Sequence, residues 1–178
     1  MKRVKIHEKD FEIFLENESI NKRTRLMGIQ LNVDYEKRSP IFIGVLNGSF
    51  LFMADLIKEV EMNCEVSFIR VASYQDTTST GQIKEAFGLP DNLKDRDVIL
   101  VEDIVDTGLT LHYILEKVRA QQPASINVCS LLFKPAALLK PMPELTYVGF
   151  EIPNEFVVGY GLDYNGLGRN LKDIYRAI

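Results

Sequence analysis

The stretch Val98–Leu111, reading VILVEDIVDTGLTL, narrows the possible folds more than any other part of the chain. Val98–Val101 is a run of four apolar residues with no polar alternation, which predicts a strand buried on both faces. Glu102 and Asp103 follow at once, then Ile104 and Val105, then Asp106-Thr107-Gly108-Leu109-Thr110 opening a helix predicted over Leu109–Arg119. A strand buried on both faces needs covering layers. A helix that starts at its carboxyl end is the crossover of a parallel sheet. In such sheets ligands bind beyond the carboxyl ends of the strands, where these acids and hydroxyls fall.

The rest of the chain repeats the alternation. A strand is expected at Phe11–Leu15, then a helix capped by Asn17 with Ile20, Met27, Leu31 and Tyr35 on its inner face. Ile41–Leu46 reads as a buried strand and Phe50–Val60 as a helix. Further strands are expected at Val66–Val71, Ile126–Phe133, Tyr147–Phe150 and Phe156–Tyr160. Between Val66–Val71 and Val98–Val101 lies Ser73–Lys84, hydroxyl-rich and without an apolar period. The prediction is an α/β fold with a mostly parallel twisted sheet flanked by helices. At 178 residues with no repeats or linker, a single domain over 1–178 is expected.

Each part of Glu102–Thr110 has a physical task. The first turn of a helix carries unpaired N–H groups and a partial positive charge, so it suits a phosphate. Thr107 and Thr110 add hydroxyl donors, and Gly108 lets the backbone come close to a ligand. Glu102 and Asp103 would repel that phosphate and must face donors, such as a sugar diol or a bound cation. Phosphate on one side and hydroxyls on the other describe a ribose 5-phosphate. Asp106 lies between them, near the reacting carbon, and is suited to accept a proton from an attacking nitrogen. The plain alternative is an acidic loop that caps a helix. Competing motifs are missing: there is no G-x-x-x-x-G-K-[ST], and no third glycine follows Gly159 and Gly161 at a dinucleotide spacing.

VILVEDIVDTGLTL closely resembles the phosphoribosyl-pyrophosphate signature of type I phosphoribosyltransferases, and the chain from about Ile41 to Arg169 resembles the hypoxanthine-guanine branch. The resemblance includes Val45–Gly48, Phe68–Arg70 with Ser73-Tyr74, Ser79-Thr80-Gly81, Ser130–Lys134, Val148–Pro153 and Phe156–Asn165. It implies a type I phosphoribosyltransferase core with a small hood. It also implies that Glu102 and Asp103 hold the ribose hydroxyls, directly or through magnesium, and that Asp106, Thr107, Gly108, Leu109 and Thr110 cradle the 5-phosphate. Asp106 becomes the general base toward N7 of the purine. Lys134 would donate to the purine O6, Phe156 would stack on the base, and the Val157 backbone would read its other edge, with Ile104 and Asp163 also on the base side. Asp163 would share the magnesium, and Arg169, Ser73 and Tyr74 would meet the pyrophosphate. Leu46-Asn47-Gly48 matches the family's pyrophosphate loop, which carries a non-proline cis peptide. The family often has Lys where this chain has Asn47, and backbone contacts to pyrophosphate do not need that side chain.

Singly, each residue has a plain alternative: Lys134 a solvated strand end, Phe156 a core aromatic, Asp163 a turn residue, Arg169 a surface charge, Ser73–Lys84 a surface hairpin rather than a lid. Taken together in this order they point to purine salvage, with phosphoribosyl pyrophosphate and a 6-oxopurine as substrates, Mg2+ as cofactor and a homodimer or homotetramer as the assembly the family implies. The net charge of −4 offers no basic field for nucleic acid or an anionic membrane. Nothing approaches a bilayer-spanning apolar run, and the basic N-terminus has no signal-peptide core, so a cytoplasmic protein is expected. Cys64 and Cys129 have no metal or redox spacing and read as small hydrophobes in a reducing compartment. Two other functions compete: a regulatory nucleotide- or RNA-binding protein on the same fold, and a transferase acting on xanthine or a pyrimidine. Lys134 with Phe156 argues against the pyrimidine and does not rank hypoxanthine, guanine and xanthine.

Overall fold

Apolar runs without alternation become the buried strands of one large sheet. In chain order the elements are β1 (Arg3–Ile6), β2 (Lys9–Leu15), α1 (Asn17–Asp34), β3 (Ile41–Leu46), α2 (Phe50–Lys58), β4 (Glu65–Ser73), β5 (Ile83–Phe87), β6 (Asp97–Val105), α3 (Leu109–Ala120), β7 (Ser125–Phe133), β8 (Leu145–Glu151), β9 (Val157–Val158) and β10 (Ile174–Ala177). They are taken from a computed structural model that describes residues 3–73 and 83–178. The main sheet has the order β5-β4-β3-β6-β7-β8, all parallel except β5, which runs antiparallel to β4. The expected mostly parallel α/β fold is the one observed.

The strand order fixes where a ligand can bind. β3 and β6 lie side by side, Ile41 opposite Val98 and Gly44 opposite Val101. From β3 the chain steps outward to β4 on one side, and from β6 to β7 and β8 on the other. The winding therefore reverses between β3 and β6, which opens a crevice at their carboxyl ends. Leu46–Gly48 and Glu102–Thr110 both leave the sheet there.

Alternate residues of β6 feed the two faces, as a strand's period of two requires. Ile99 and Val101 pack with α1 and α2 through Ile20, Met27, Leu31, Phe52 and Leu56. Val98 and Leu100 pack under α3 through Leu111, Ile114, Leu115 and Val118. Cys129 is buried in the first of these layers and Cys64 is half-buried at its edge.

Two expectations are corrected. Asn17 does not cap α1: Glu16 holds the cap position, and Asn17 is the first helical residue. Its N–H donates to Asp173 Oδ1 at 2.9 Å and its side-chain amide to the Lys172 carbonyl at 3.1 Å, so the helix start is tied to the last segment of the chain. The expected strand at Phe156–Tyr160 shrinks to Val157–Val158 and belongs to a second, antiparallel sheet of order β1-β2-β10-β9. Left-handed backbone at Gly159 (φ 101°), Tyr160 (φ 50°) and Gly161 (φ 100°) ends that strand. A Cβ on Gly159 would lie 2.1 Å from the Asp173 carbonyl oxygen, so a glycine is required where the chain crosses itself. This small sheet forms the hood beside the crevice, with Phe11, Val158 and Tyr175 at its centre.

Candidate active site

The strand expected over Val98–Val101 runs on to Val105, so β6 carries Glu102 and Asp103 within itself and not beyond its end, just before the chain turns into α3. Glu102 is buried and Asp103 half-buried. The Asp103 N–H donates to Glu102 Oε1 at 3.2 Å, and the Ile104 N–H to Asp103 Oδ1 at 2.8 Å. Burial raises the Glu102 carboxyl well above the usual carboxylate range, and the adjacent Asp103 charge adds to it. Burial likewise raises Asp103, opposed by its hydrogen bonds and by the Arg169 charge. Two acids held this close concentrate negative charge at the cleft wall, which a divalent cation or sugar hydroxyls would relieve.

A carboxyl with a folded pKa above its unfolded one binds more protons when folded. Stability then rises as pH falls from above the folded value to below the unfolded one, and the cost of the buried charge is felt at higher pH. Glu102→Gln keeps the acceptor for the Asp103 N–H and deletes the charge. The variant should melt several degrees higher than the parent at mildly alkaline pH without divalent cation, and the gap should close as pH falls. Equal melting temperatures across that range would mean that the acid pair carries no strain.

Beyond Val105 the backbone turns through Gly108, left-handed at φ 79°, into α3. The carbonyls of this turn are used from behind: Val105 accepts from the Lys134 N–H at 2.9 Å and Thr107 from the Leu139 N–H at 3.2 Å. The amides of residues 106, 107, 108 and 110 have no protein acceptor among the described residues, and the Leu109 amide has only the Thr107 hydroxyl at 3.5 Å. This turn, the acid pair, Leu46, Gly48, Asp163 and Arg169 line one cleft of about 300 Å³. The Leu46–Asn47 peptide is cis.

A second, smaller cavity of about 150 Å³ opens beside the first, bounded by Lys134, Phe156, Val157 and Leu162. The two share Asp103, Ile104, Asp106 and Asp163, so they are two ends of one site. Lys134 is buried to 6% exposure, and its ammonium donates to Asp106 Oδ2 at 2.8 Å. A solvated strand end is therefore excluded for Lys134. Phe156 is no core aromatic either: it remains 44% exposed at the rim. Arg169 pairs with Asp163 Oδ1 at 2.6 Å and donates to the Gly161 carbonyl at 2.7 Å, and Asp163 Oδ2 accepts the Gly166 N–H. Ser73 ends β4, whereas Tyr74, Ser79-Thr80-Gly81 and most of the Ser73–Lys84 segment lie outside the described residues.

A family model described as the phosphoribosyl transferase domain matches residues 12–165. The hypoxanthine-guanine phosphoribosyltransferase of Bacillus subtilis is 41% identical over 164 residues, covering 92% of this chain and 91% of the relative. The chain belongs to the hypoxanthine-guanine phosphoribosyltransferase family. A Staphylococcus aureus hypoxanthine phosphoribosyltransferase superposes with a TM-score of 0.88 at 38% identity, over 94% of this chain and 91% of that one. A Trypanosoma cruzi hypoxanthine phosphoribosyltransferase variant, complexed with the product IMP, gives 0.87 at 33% identity over 98% and 93%.

What sequence reasoning missed in this phosphoribosyltransferase is the close approach of Gly161 and of Asp103 to the already expected Gly48, and the apolar walls Val45, Leu111 and Leu162. A Cβ on Gly161 would lie 2.1 Å from the Gly48 carbonyl oxygen, and one on Gly48 only 1.6 Å from Asp103 Oδ2. The loop after β3, the acid pair and the Gly159–Asp163 turn are thus packed at backbone distance. The signal was present as Gly48 and the Gly-Tyr-Gly at 159–161, but it gave no partner for either. Among the described residues no three His, Cys, Asp or Glu side chains gather as a metal cage. Magnesium needs none: it takes one or two carboxylates and completes its shell with water and substrate phosphates. The Glu102–Asp103 pair fits that demand.

Proposed function

We propose that this phosphoribosyltransferase transfers the 5-phosphoribosyl group from phosphoribosyl pyrophosphate to hypoxanthine, and to guanine, giving IMP or GMP and pyrophosphate. One observation carries the reading: an anion cradle with an acid pair and a Lys134–Phe156 pocket share a wall, and Asp106 stands in it. The amides of 106–110, four of them without a protein acceptor among the described residues, hold the 5-phosphate with the Thr107 and Thr110 hydroxyls. Glu102 and Asp103 face the ribose hydroxyls and would hold magnesium directly, with Asp163 reaching it through its water shell. Magnesium, when bound, supplies positive charge to the departing pyrophosphate. Arg169 and the backbone of Leu46, Asn47 and Gly48 neutralise the same group, and Ser73 and Tyr74 are its further contacts. N9 of the purine bonds to the anomeric carbon, the bond to pyrophosphate breaks, and the proton on N7 passes to Asp106. On the base side Lys134 donates to O6, Phe156 stacks, and Ile104 and the Val157 backbone complete the pocket.

A burst of IMP absorbance from hypoxanthine, phosphoribosyl pyrophosphate and magnesium tests the activity, and no turnover with either hypoxanthine or guanine would sink it. Lys134→Ala separates the two ends of the site. Loss of a charge-assisted hydrogen bond costs about 1.5–3 kcal/mol, so the KM for hypoxanthine should rise roughly 10- to 100-fold. The KM for phosphoribosyl pyrophosphate should stay near that of the parent, and equal losses for both substrates would refute the assignment. We further propose that the enzyme works as a homodimer or homotetramer in the cytoplasm. The exposed apolar row Leu26, Ile29 and Val33 along α1 supports association, and among the described residues no helix is long and apolar enough to cross a membrane.

A further inference from the structure

Phe156 is nearly half exposed, yet its ring is held from several sides. Tyr164 meets it edge-on, with centroids 5.6 Å apart and planes at 79°. Phe11, fully buried in the hood, lies against both rings at 6.3 and 6.2 Å. The Lys9 ammonium sits 5.3 Å from the Phe156 centroid and 4.7 Å from that of Tyr164. Tyr164 in turn is gripped by the two-residue turn that joins β1 to β2, where Ile6 pairs with Lys9. The His7 ring stands edge-on to it at 5.7 Å, and the Glu8 carboxylate accepts its hydroxyl from 156 residues away in sequence. His7 keeps a left-handed φ of 53°, uncommon for a residue with a side chain.

We propose that the His7–Glu8–Lys9 turn is a positioning clasp that acts through Tyr164 to fix the Phe156 ring as the stacking wall of the base pocket, and so sets the affinity for the purine. The proposal rests on the reading of Phe156 as the ring that stacks on the base. A half-exposed phenylalanine left to itself samples several rotamers, and a base that stacks on it must first order it. With the ring already held between Phe11, Tyr164 and Lys9, that ordering is complete before the base arrives. Aromatic pairs prefer this edge-to-face geometry, and a cation near both rings adds to it. Tyr164 is half-buried against the hood core, so its loss costs some stability, whereas His7, Glu8 and Lys9 are exposed, where substitutions barely move it. Their effect should therefore fall on base affinity and not on folding.

The test compares KM for hypoxanthine, KM for phosphoribosyl pyrophosphate and Tm in full-length variants. Tyr164→Ala should raise the hypoxanthine KM up to about tenfold and leave the phosphoribosyl pyrophosphate KM near its parent value, with at most a modest fall in Tm. Tyr164→Phe keeps the ring edge and loses the bond to Glu8, so it should recover part of that loss. In a Phe156→Ala background, Tyr164→Ala should add nothing, since the clasp then has nothing to hold. An unchanged hypoxanthine KM in Phe156→Ala alone would overturn the stacking assignment, and the clasp with it. A raised KM in Phe156→Ala with a normal one in Tyr164→Ala would overturn the clasp only. So would a Tyr164→Ala variant in which both KM values and Tm shift together.

Discussion

Asp106→Asn should lower kcat about 10²- to 10⁴-fold, the usual worth of a positioned general base, with the KM for phosphoribosyl pyrophosphate changed only a few-fold. Asparagine matches aspartate in size and its carbonyl can still accept from the Lys134 ammonium, which lies 2.8 Å from Asp106 Oδ2. The turn into α3 is set by the Gly108 backbone and by the Lys134 and Leu139 amides behind it, none of which involves the carboxylate. The substitution therefore removes a proton acceptor and little else. Stopped-flow and steady-state assays on the same preparation separate the outcomes. Turnover near that of the parent would remove Asp106 from the role of base, and a large rise in KM with normal kcat would make it a binding group instead.

The Lys134–Asp106 pair gives this experiment a further edge. The cation meant for the base and the carboxylate meant for its proton are bonded to each other in the described site, at the junction of the two cavities. Purine entry has to replace that contact by Lys134 to O6 and Asp106 to N7. Asp106→Asn weakens the pair by removing one charge, so base binding should not suffer even as turnover collapses. A variant that lost base affinity and turnover in equal measure would argue for a purely structural ion pair.

What could be read from the sequence was whatever depends on short range. Val98–Thr110 announces its strand, its acids and its helix start within thirteen residues, because burial on both faces and helix opening are local properties. Ile41–Leu46 was legible to the residue for the same reason. Lys134 and Phe156 became visible only through family resemblance, since a lone lysine after an apolar strand states no partner. The hood, too, was expected only through the resemblance, and how its strands pair stayed hidden. β10 pairs with β2 across more than 150 residues, Val157–Val158 is too short and too glycine-flanked to declare its sheet, and Asn17 spends its amide on Asp173 instead of its own helix. Close approach was the least legible of all. A glycine in a sequence signals that something comes near, and only the folded chain names what it is.

Gly48 carries the second large expectation, and it follows from such an approach. Gly48→Ala should lower kcat/KM for phosphoribosyl pyrophosphate about 100-fold, the scale set by a displacement near 1 Å in a reacting site, while Tm changes little. The new Cβ would fall 1.6 Å from Asp103 Oδ2 and 2.4 Å from its Cγ. Residue 48 cannot retreat toward Gly161, whose own missing Cβ would already lie 2.1 Å from the Gly48 carbonyl oxygen. Something else has to give, and the cheapest movement is rotation of the Asp103 side chain. That rotation breaks the bond from the Ile104 N–H to Asp103 Oδ1 and swings one of the two acids out of its place facing the ribose. No core residue is displaced, so the fold survives and the grip on the sugar does not. Gly166→Ala is the control, because nothing lies within 4 Å of its Cβ position and only its left-handed φ of 84° resists the change. It should cost some stability and leave kcat/KM intact, the reverse of the Gly48 result. If Gly48→Ala lost stability in step with kcat/KM, or kept normal kcat/KM, then Asp103 would not be the group that holds the ribose.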